Sequence, residues 1–470
     1  MPDDPRPNVL LIVTDQHRHD YLGCAGADWL STPNIDALAK RGTRLTHAFT
    51  NSPVCAPARC AFATGLQPHR CGVTCNADFI ALSQPTIYQR LQHHNVWTGF
   101  TGKLDLVKTA GQATPDGRSP ITMALGFCDP IEIGEPFRAH LESKGLFETF
   151  RADQKSRVPF PGMHGVLSLR PTPMSRDAER PDHWVQAVSQ DSPLGVEDHK
   201  DAFTGRTAEM WVREQAPDAY PWFFQVNFGG PHDPFDPPTE YADRYRNAEV
   251  PEPIPFDPDG KPRHLPGKVI TQDPDDIRFT RRQYSAMIEQ IDHWVGRILQ
   301  AVEDRDWGDN TVVVFTSDHG EMLGDHGLYT KHVPYEASIR IPMIAAGPGV
   351  AVGRTIDAMA ELIDLNATIA DWFGLPPAER TDAESMASLL AGQTDDHRDS
   401  ILTMEDHFVA VRDRRYKFAQ YQNDLDELYD LDADPDERVN LAEQPGVDVE
   451  LFRRMKRLLT ERRRGEMWRR

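Results

Sequence analysis

The stretch NVLLIVTDQ, at positions 8–16, decides the fold, because an apolar run of the length of one β-strand is followed at once by polar residues. A run without polar alternation is typical of a parallel strand that helices cover on both faces. A second such run, TVVVFT at 311–316, follows an amphipathic helical pattern over residues 281–304 and stops at Ser317-Asp318-His319. The two runs predict an α/β fold.

Two further strand-like runs also end at polar residues. WFFQVNF at 222–228 leads to His232, and NVWTGF at 95–100 leads to Lys103. In doubly wound α/β sheets, ligands bind outside the carboxyl ends of the strands. A single Asp or His after a strand more simply caps a helix or makes a turn. Five polar residues after four separate strands instead indicate a site, and these residues are Asp15, Lys103, His232, Asp318 and His319.

The composition is that of a folded protein with two unequal domains. The chain has 470 residues, of which 39% are hydrophobic and 26% are charged, and this length exceeds that of the usual single domain. From residue 376 onward, short strand candidates alternate with charged turns, which is typical of a small antiparallel sheet. We therefore predict a catalytic α/β domain over 1–375 and a smaller domain over 376–470, with a four-stranded antiparallel sheet and a terminal helix.

The charge and the cysteines restrict the partners and the compartment. A formal net charge of -21 disfavours nucleic acid, whose phosphates require Lys and Arg. No stretch has the roughly 18 apolar residues of a membrane span, and no signal-peptide pattern precedes the first strand. We expect no membrane partner and a cytoplasmic location, where the six cysteines stay thiols. The Arg-rich end from 462 to 470 predicts a solvated tail, with a contact arm in a homo-oligomer as the alternative.

The segment NSPVCAPARCAFATG, at positions 51–65, carries the most specific motif. It resembles the C-x-P-x-R motif of the sulfatase family, in which Cys is oxidised to formylglycine. The family usually has Ser at the position of Ala58. Similar motifs continue along the chain in the family's order: Gly102-Lys103, Pro231-His232, Ser317-Asp318-His319-Gly320-Glu321, Lys331 before Arg340-Ile341-Pro342, and ELYDLDADPDERVNL at 427–441.

This resemblance implies an alkaline-phosphatase-like fold, in which helices sandwich a large mixed sheet and a smaller C-terminal α/β domain follows. It implies one divalent metal ion held by Asp15, Gln16, Cys55 as formylglycine, Asp318 and His319. Carboxylates are hard donors suited to Ca²⁺, and the imidazole makes Mn²⁺ the alternative. Many relatives have Asp where Gln16 stands and Asn where His319 stands.

The resemblance also implies a reaction. One oxygen of the hydrated aldehyde at position 55 attacks the sulfur, and the other then expels sulfate. Arg59 holds the formylglycine hydroxyls and the metal ligands, whereas Lys103 and Lys331 clamp the ester oxygens. His232, together with Lys331, protonates the leaving oxygen. Position 55 is expected to open a helix, whose N-terminus favours an anion.

Two residues near the motif have two interpretations each. Asn76 is a candidate contact to an ester oxygen, or simply a turn residue. Asp105 stands where relatives have His in Gly-Lys-x-His, so it either pairs with Lys103 or recognises a hydroxyl or a cationic group of the substrate.

The sequence therefore predicts a sulfuric ester hydrolase that acts on a small-molecule or saccharide sulfate ester after maturation by a formylglycine-generating enzyme. The alternative is a phosphonate monoester or phosphodiester hydrolase, which shares the motif and both metal-ligand pairs. A catalytically inactive relative is disfavoured, since Cys55, Arg59 and both lysines are retained.

Overall fold

The computed structural model describes residues 6–107, 117–156, 189–265 and 273–468. Its large sheet has eight strands in the spatial order β4-β3-β5-β1-β6-β7-β2-β8. These strands are β1 (Asn8–Asp15), β2 (Thr43–Phe49), β3 (Trp97–Gly102), β4 (Asp129–Glu132), β5 (Trp222–Pro231), β6 (Thr311–Ser317), β7 (Arg340–Ala346) and β8 (Arg354–Glu361).

The sheet is mixed, as predicted. Strands β4, β3, β5, β1 and β6 run parallel to one another, so that their carboxyl ends share one edge. Strand β7 is antiparallel to both of its neighbours, β6 and β2, whereas β8 is parallel to β2. The start of β7 therefore lies at the same edge as the end of β6.

Fourteen α-helices lie within the described residues. They are α1 (Pro33–Arg41), α2 (Cys55–Thr64), α3 (Pro68–Cys71), α4 (Ile87–His93), α5 (Pro120–Ala124), α6 (Gly134–Ser143), α7 (Phe147–Ser156), α8 (Lys200–Met210), α9 (Thr239–Tyr245), α10 (Pro274–Asp304), α11 (Glu336–Ile339), α12 (Asp364–Trp372), α13 (Ala387–Leu390) and α14 (Val449–Trp468). None of these described helices combines the length and the apolar character that crossing a bilayer requires.

Helices cover both faces of the large sheet. Alternate residues of β1 point to opposite faces: Leu11 packs in a cluster with α2, α4 and α12, whereas Leu10 packs with α1, α8 and α10. Every residue of β1 is buried, which explains its continuous apolar sequence. The predicted α/β sandwich is confirmed.

The C-terminal part forms a second sheet. Its strands are β9 (Ile401–Glu405), β10 (Phe408–Arg412), β11 (Tyr416–Tyr421) and β12 (Glu427–Asp430), which pair antiparallel in the order β12-β11-β10-β9. Helix α14 packs on this sheet through Met455 and Leu459. A domain boundary between residues 375 and 376 stays a prediction.

One part of the C-terminal prediction is wrong. Residue 462 lies within α14, and the Arg462 guanidinium forms an ion pair with the buried carboxylate of Glu361 at the end of β8. A solvated tail therefore does not begin at Arg462, because this side chain compensates a buried charge.

Candidate active site

The site begins at the adjacent carboxyl ends of β1 and β6. Asp15 is the last residue of β1, and Asp318 follows the last residue of β6. The two strands pair in register from Asn8 to Thr14, and the Asp318 N–H donates to the Thr14 carbonyl at 3.2 Å. This pairing places two carboxylates from distant parts of the chain at one point of the sheet edge.

Cys55 faces these carboxylates from the first position of α2. Its Sγ lies 3.2 Å from His319 Nε2 and 3.7 Å from Asp15 Oδ1. Pro57 stands in the first turn, where a missing N–H is tolerated. One donor atom from each of Asp15, Cys55, Asp318 and His319 lies within 4.8 Å of the others, and all four residues are buried. We call these four residues the donor cluster.

Arg59 lies one turn after Cys55 and joins the two carboxylates. Its Nε donates to Asp318 Oδ2 at 2.9 Å, and its Nη2 donates to Asp15 Oδ2 at 3.2 Å. The third donor, Nη1, bonds the Lys103 carbonyl at 2.9 Å. The planar guanidinium therefore fixes two carboxylates and the end of β3 with a single group.

Two lysines point at Cys55. Lys103 Nζ lies 3.5 Å from Sγ and donates to Asp15 Oδ2 at 2.6 Å. Lys331 Nζ lies 3.6 Å from Sγ and also donates to the side-chain oxygen of Gln16. The two ammonium groups give the site the local positive charge that a protein of net charge -21 needs to attract an anion.

Gln16 is held by partners that the sequence did not reveal. Its Nε2 donates to Asp233 Oδ1 at 3.2 Å and to Glu321, while its Oε1 accepts from Lys331. Its backbone φ of 70° lies in the left-handed region, which non-glycine residues seldom adopt. Gln16 thus borders the donor cluster through Lys331, and its role as a metal ligand stays a prediction.

The electrostatics of the cluster favour an ionised Asp15 and a neutral thiol. Burial alone would raise the pKa of Asp15, but the positive charges of Lys103, Arg59 and Lys331 hold it well below its usual value. Burial, reinforced by the negative charge of Asp15, raises the pKa of the Cys55 thiol to about 11. At neutral pH the unmodified Cys55 is therefore a protonated thiol and a weak nucleophile.

The donor cluster fits a divalent cation. The Nδ1 of His319 lies 3.0 Å from the Gly320 carbonyl, so the proton resides on Nδ1 and the lone pair of Nε2 faces Cys55. Burial lowers the pKa of His319, which keeps the ring neutral as metal binding requires. Two carboxylates and a neutral imidazole are a donor set for Ca²⁺ or Mn²⁺.

A sequence model described as Sulfatase matches residues 7–375, and one described as N-sulphoglucosamine sulphohydrolase, C-terminal, matches residues 324–465. The chain belongs to the sulfatase family. This membership confirms the predicted family and the enzyme class, a sulfuric ester hydrolase.

Known sulfatases and related enzymes resemble the chain over nearly all of its length. A choline-sulfatase of Rhizobium meliloti is 30% identical over 95% of this chain and 84% of its own. An arylsulfatase of Clostridium perfringens is 25% identical, covering 93% of this chain and 90% of its own. The crystal structure of a phosphonate monoester hydrolase of Agrobacterium radiobacter superposes with a TM-score of 0.80 and 24% identity, covering 98% of this chain and 96% of that one, which shows a shared fold.

His232 lies near the cluster of this sulfatase but does not belong to it. It follows β5, and its Nδ1 lies 2.6 Å from the Asp233 carbonyl, which fixes the proton on Nδ1 and leaves Nε2 unprotonated. Burial and the positive charge of Lys331 hold the pKa of His232 well below its usual value. In this state the imidazole accepts a hydrogen bond, so its part in protonating the leaving oxygen stays a prediction.

Asn76 and Asp105 are placed by specific contacts. Asn76 Oδ1 accepts the Ala56 N–H at 3.0 Å and so caps α2, which the apolar N-cap residue Val54 does not do. Asp105 lies 3.2 Å from Lys103 Nζ, as in the ion-pair interpretation. A contact of either side chain with substrate stays a prediction.

Sequence reasoning missed a contact between the second sheet and the Lys331 loop. His332 Nδ1 lies 2.6 Å from Glu405 Oε1 at the end of β9. The position of His332 next to Lys331 was a signal that this residue lies near the site, but nothing in the sequence identified Glu405 as its partner.

Proposed function

We propose that the protein hydrolyses sulfate monoesters with a nucleophile made from Cys55 by oxidation to formylglycine, in a site that binds one divalent cation. The observation that carries this proposal is the place of Cys55, whose Sγ lies within 3.7 Å of Asp15, His319, Lys103 and Lys331. A nucleophilic atom in this place lies next to carboxylates that can bind a cation. It also lies next to two ammonium groups that can bind an anionic ester.

The proposed cation is held by Asp15, Asp318, His319 and the side chain at position 55, with Gln16 as a further ligand; Ca²⁺ is the first candidate and Mn²⁺ the second. Such a cation supplies Lewis acidity at the ester oxygens and lowers the pKa of the attacking hydroxyl. Arg59 keeps the two carboxylates in place, as its 2.9 Å and 3.2 Å bonds to them indicate.

The remaining residues bind the ester and its leaving group. The ammonium groups of Lys103 and Lys331 attract the ester oxygens from two sides of position 55. The N-terminus of α2 adds the positive end of a helix dipole. His232 is the first candidate to protonate the leaving oxygen, once its Nε2 has taken up a proton, and Lys331 is the second.

The thiol of Cys55 supports maturation rather than direct cysteine catalysis. Without a bound cation, burial raises the pKa of this thiol to about 11, opposite to the lowered pKa of a catalytic cysteine. A formylglycine-generating enzyme is therefore the proposed maturation partner.

Mass spectrometry of the proteolytic peptide that contains Cys55 tests the nucleophile. In active protein we expect an aldehyde in place of the CH₂SH group, and a hydrazine probe should label this peptide. Cys55→Ala should remove both label and activity. Full activity in protein whose Cys55 is quantitatively a thiol would contradict the proposal.

A phosphonate monoester or phosphodiester hydrolase is the second candidate function. It is favoured by the Asp15-Gln16 and Asp318-His319 pairs at the strand ends and by a phosphonate monoester hydrolase of the same fold. Steady-state assays with an aryl sulfate and an aryl phosphonate that share one leaving group decide between them. We expect the larger kcat/KM for the sulfate, and the reverse order would favour the second candidate.

For the substrate we propose only a chemical class, and we also propose a cellular location and an oligomeric state. A small-molecule sulfate is supported by the likeness to a choline-sulfatase, and a saccharide sulfate by a fold neighbour solved with D-glucosamine-2-N,6-O-disulfate. All six cysteines are free, as expected in the cytoplasm, which is the proposed location. A homo-oligomer is a further proposal, which gel filtration with light scattering tests.

A further inference from the structure

A cavity separate from the donor cluster lies between β2, β7 and the loop that follows β1. Its volume is about 230 Å³, and its polar lining consists of His19, Asp20, Arg44, Thr46 and Arg340. None of these five side chains contacts Cys55. Arg340 opens the Arg340-Ile341-Pro342 motif, to which the proposed reaction assigns no role. We call this space the arginine cavity.

The arginines of the arginine cavity have only distant or shared carboxylate partners among the described residues. Arg44 pairs through its backbone with β7 and β8, but within the described part of the chain its guanidinium makes no hydrogen bond and no ion pair. Arg340 donates from Nε to the Thr46 carbonyl at 2.6 Å, and its Nη1 lies 3.9 Å from Glu336. Glu336 also bonds Arg412 at 3.0 Å and Lys417 at 3.3 Å, so its one negative charge is shared among three cations.

The carboxylate of the arginine cavity is occupied as well. Both oxygens of Asp20 accept from Arg18, at 2.9 Å and 2.8 Å. Arg18 also pairs with Asp325, which in turn pairs with Arg281, so that these two carboxylates and two guanidinium groups balance one another. Asp20 is therefore paired with Arg18, and its charge reaches Arg340 only without a direct bond.

His19 adds an unused polar atom. Its Nδ1 is buried and has no hydrogen-bond partner among the described residues. Burial lowers the pKa of His19 to about 3, and the positive charge of Arg340 contributes to this shift. Burial also lowers the pKa of Arg340; Glu336 and Asp20 oppose this shift, whereas Arg412 and Arg44 add to it. A negative charge in the cavity would oppose these effects.

We propose that the arginine cavity is a second, non-catalytic binding site for a small oxyanion, held between the guanidinium groups of Arg44 and Arg340. Guanidinium groups match the oxygens of a tetrahedral oxyanion with paired N–H donors. His19 Nδ1 is a further donor to the same ion. The volume is below the roughly 300 Å³ at which pockets for larger ligands begin, so the ligand is small. Phosphate and sulfate share this chemistry, and sulfate is also the product of the proposed reaction.

Isothermal titration of the full-length protein with inorganic phosphate, and separately with inorganic sulfate, tests the site without any turnover. We expect saturable binding to the wild type and binding at least roughly tenfold weaker to Arg44→Gln, because charge-assisted hydrogen bonds are lost. The ion with the higher affinity, phosphate or sulfate, is then assigned as the ligand of the arginine cavity. The matched control is Arg41→Gln, which removes an exposed arginine that pairs with Glu303 at 3.1 Å and should leave the affinity unchanged.

Three outcomes would overturn the proposal: no saturable binding to the wild type, equal affinity of wild type and Arg44→Gln, or binding that disappears in Lys331→Ala but persists in Arg44→Gln. The last outcome would assign the ion to the donor cluster. If circular dichroism shows that Arg44→Gln is unfolded, Arg340→Lys replaces it, since this variant keeps the charge but loses the paired donors. Equal affinity of Arg340→Lys and wild type would overturn the proposal in the same way.

Discussion

Arg59 is the single side chain on which the arrangement of the site depends most directly. Its three donors bond Asp15, Asp318 and the Lys103 carbonyl. Lysine at this position keeps the charge but offers one compact ammonium group in place of a planar fork. The two carboxylates would then lose their common partner, although the protein would keep the same net charge.

We therefore expect Arg59→Lys to fold but to lose roughly a hundredfold in kcat/KM, because displacements of about 1 Å at reacting groups have effects of this size. Initial rates with an aryl sulfate give the loss, and thermal unfolding verifies the fold. Arg41→Lys, at an exposed ion pair with Glu303, is the matched control and should keep wild-type activity. Wild-type kcat/KM in Arg59→Lys would show that charge alone suffices at position 59.

Asn76 separates two roles that the sequence left open. Its Oδ1 bonds the Ala56 N–H, and loss of a helix cap typically destabilises a protein by about 1 kcal/mol. We expect Asn76→Ala to lower the free energy of unfolding by about this amount, as urea denaturation would measure.

Asn76→Asp distinguishes the cap from a substrate contact. This variant keeps an oxygen acceptor for Ala56, so the stability should be retained, whereas its negative charge would repel an anionic ester and lower kcat/KM if the side chain contacts the substrate. Wild-type kcat/KM in a stable Asn76→Asp would restrict Asn76 to the capping role.

At the scale of elements, the sequence predicted the strands that carry the site. The runs at 8–14 and 311–316 became β1 and β6 with their polar residues at the carboxyl ends, because buried parallel strands need apolar residues on both faces. Strand β2 was not predicted, since its burial alternates irregularly. The partners of Gln16 were also beyond prediction, because contacts such as Gln16 with Glu321 join residues 305 positions apart.

The burial of helix α2 predicts that Cys55 is oxidised before the protein folds. Cys55 is 2% exposed, and all ten residues of α2 are buried, so a maturation enzyme cannot reach the thiol in the folded protein. We expect conversion when both proteins are co-expressed, and no conversion when purified, folded thiol protein is incubated with the enzyme. Peptide mass spectrometry measures the converted fraction. A synthetic peptide spanning residues 51–65 is the positive control, and efficient conversion of the folded protein would contradict this order of events.

At the scale of the whole molecule, buried ion pairs connect the segment before residue 375 to the segment after it. Asp364 in α12 pairs with Arg398 and lies 3.0 Å from His397. Glu361 pairs with Arg462, and Glu336 with Arg412. Domains that share several buried charges are not expected to unfold separately, because breaking one partner from another leaves uncompensated charge in the interior. We therefore expect the two proposed domains to unfold in one cooperative transition.

Asp364→Asn tests this connection through its pH dependence. Burial alone would raise the pKa of Asp364, but Arg398 and His397 hold it well below its usual value of 3.8. A lowered pKa in the folded state means that the ionised carboxylate stabilises the protein above the unfolded-state value, and that this contribution is lost as the pH falls below 3.8. The substitution removes the nearest anion of the buried Arg398 and leaves it only the partly exposed Glu384 at 3.3 Å, which costs about 3 kcal/mol at neutral pH.

Urea denaturation at pH 7 and at successively lower pH measures this difference. We expect the destabilisation of Asp364→Asn to be full at pH 7 and to shrink as the pH falls below 3.8, because Asp364 of the unfolded wild type then takes up a proton that the folded protein does not yet bind. Asp371→Asn, at an exposed position of the same helix, is the matched control and should be neutral at every pH. A destabilisation that stays constant down to the acid transition would show that the side-chain shape at position 364, rather than its charge, connects the two segments.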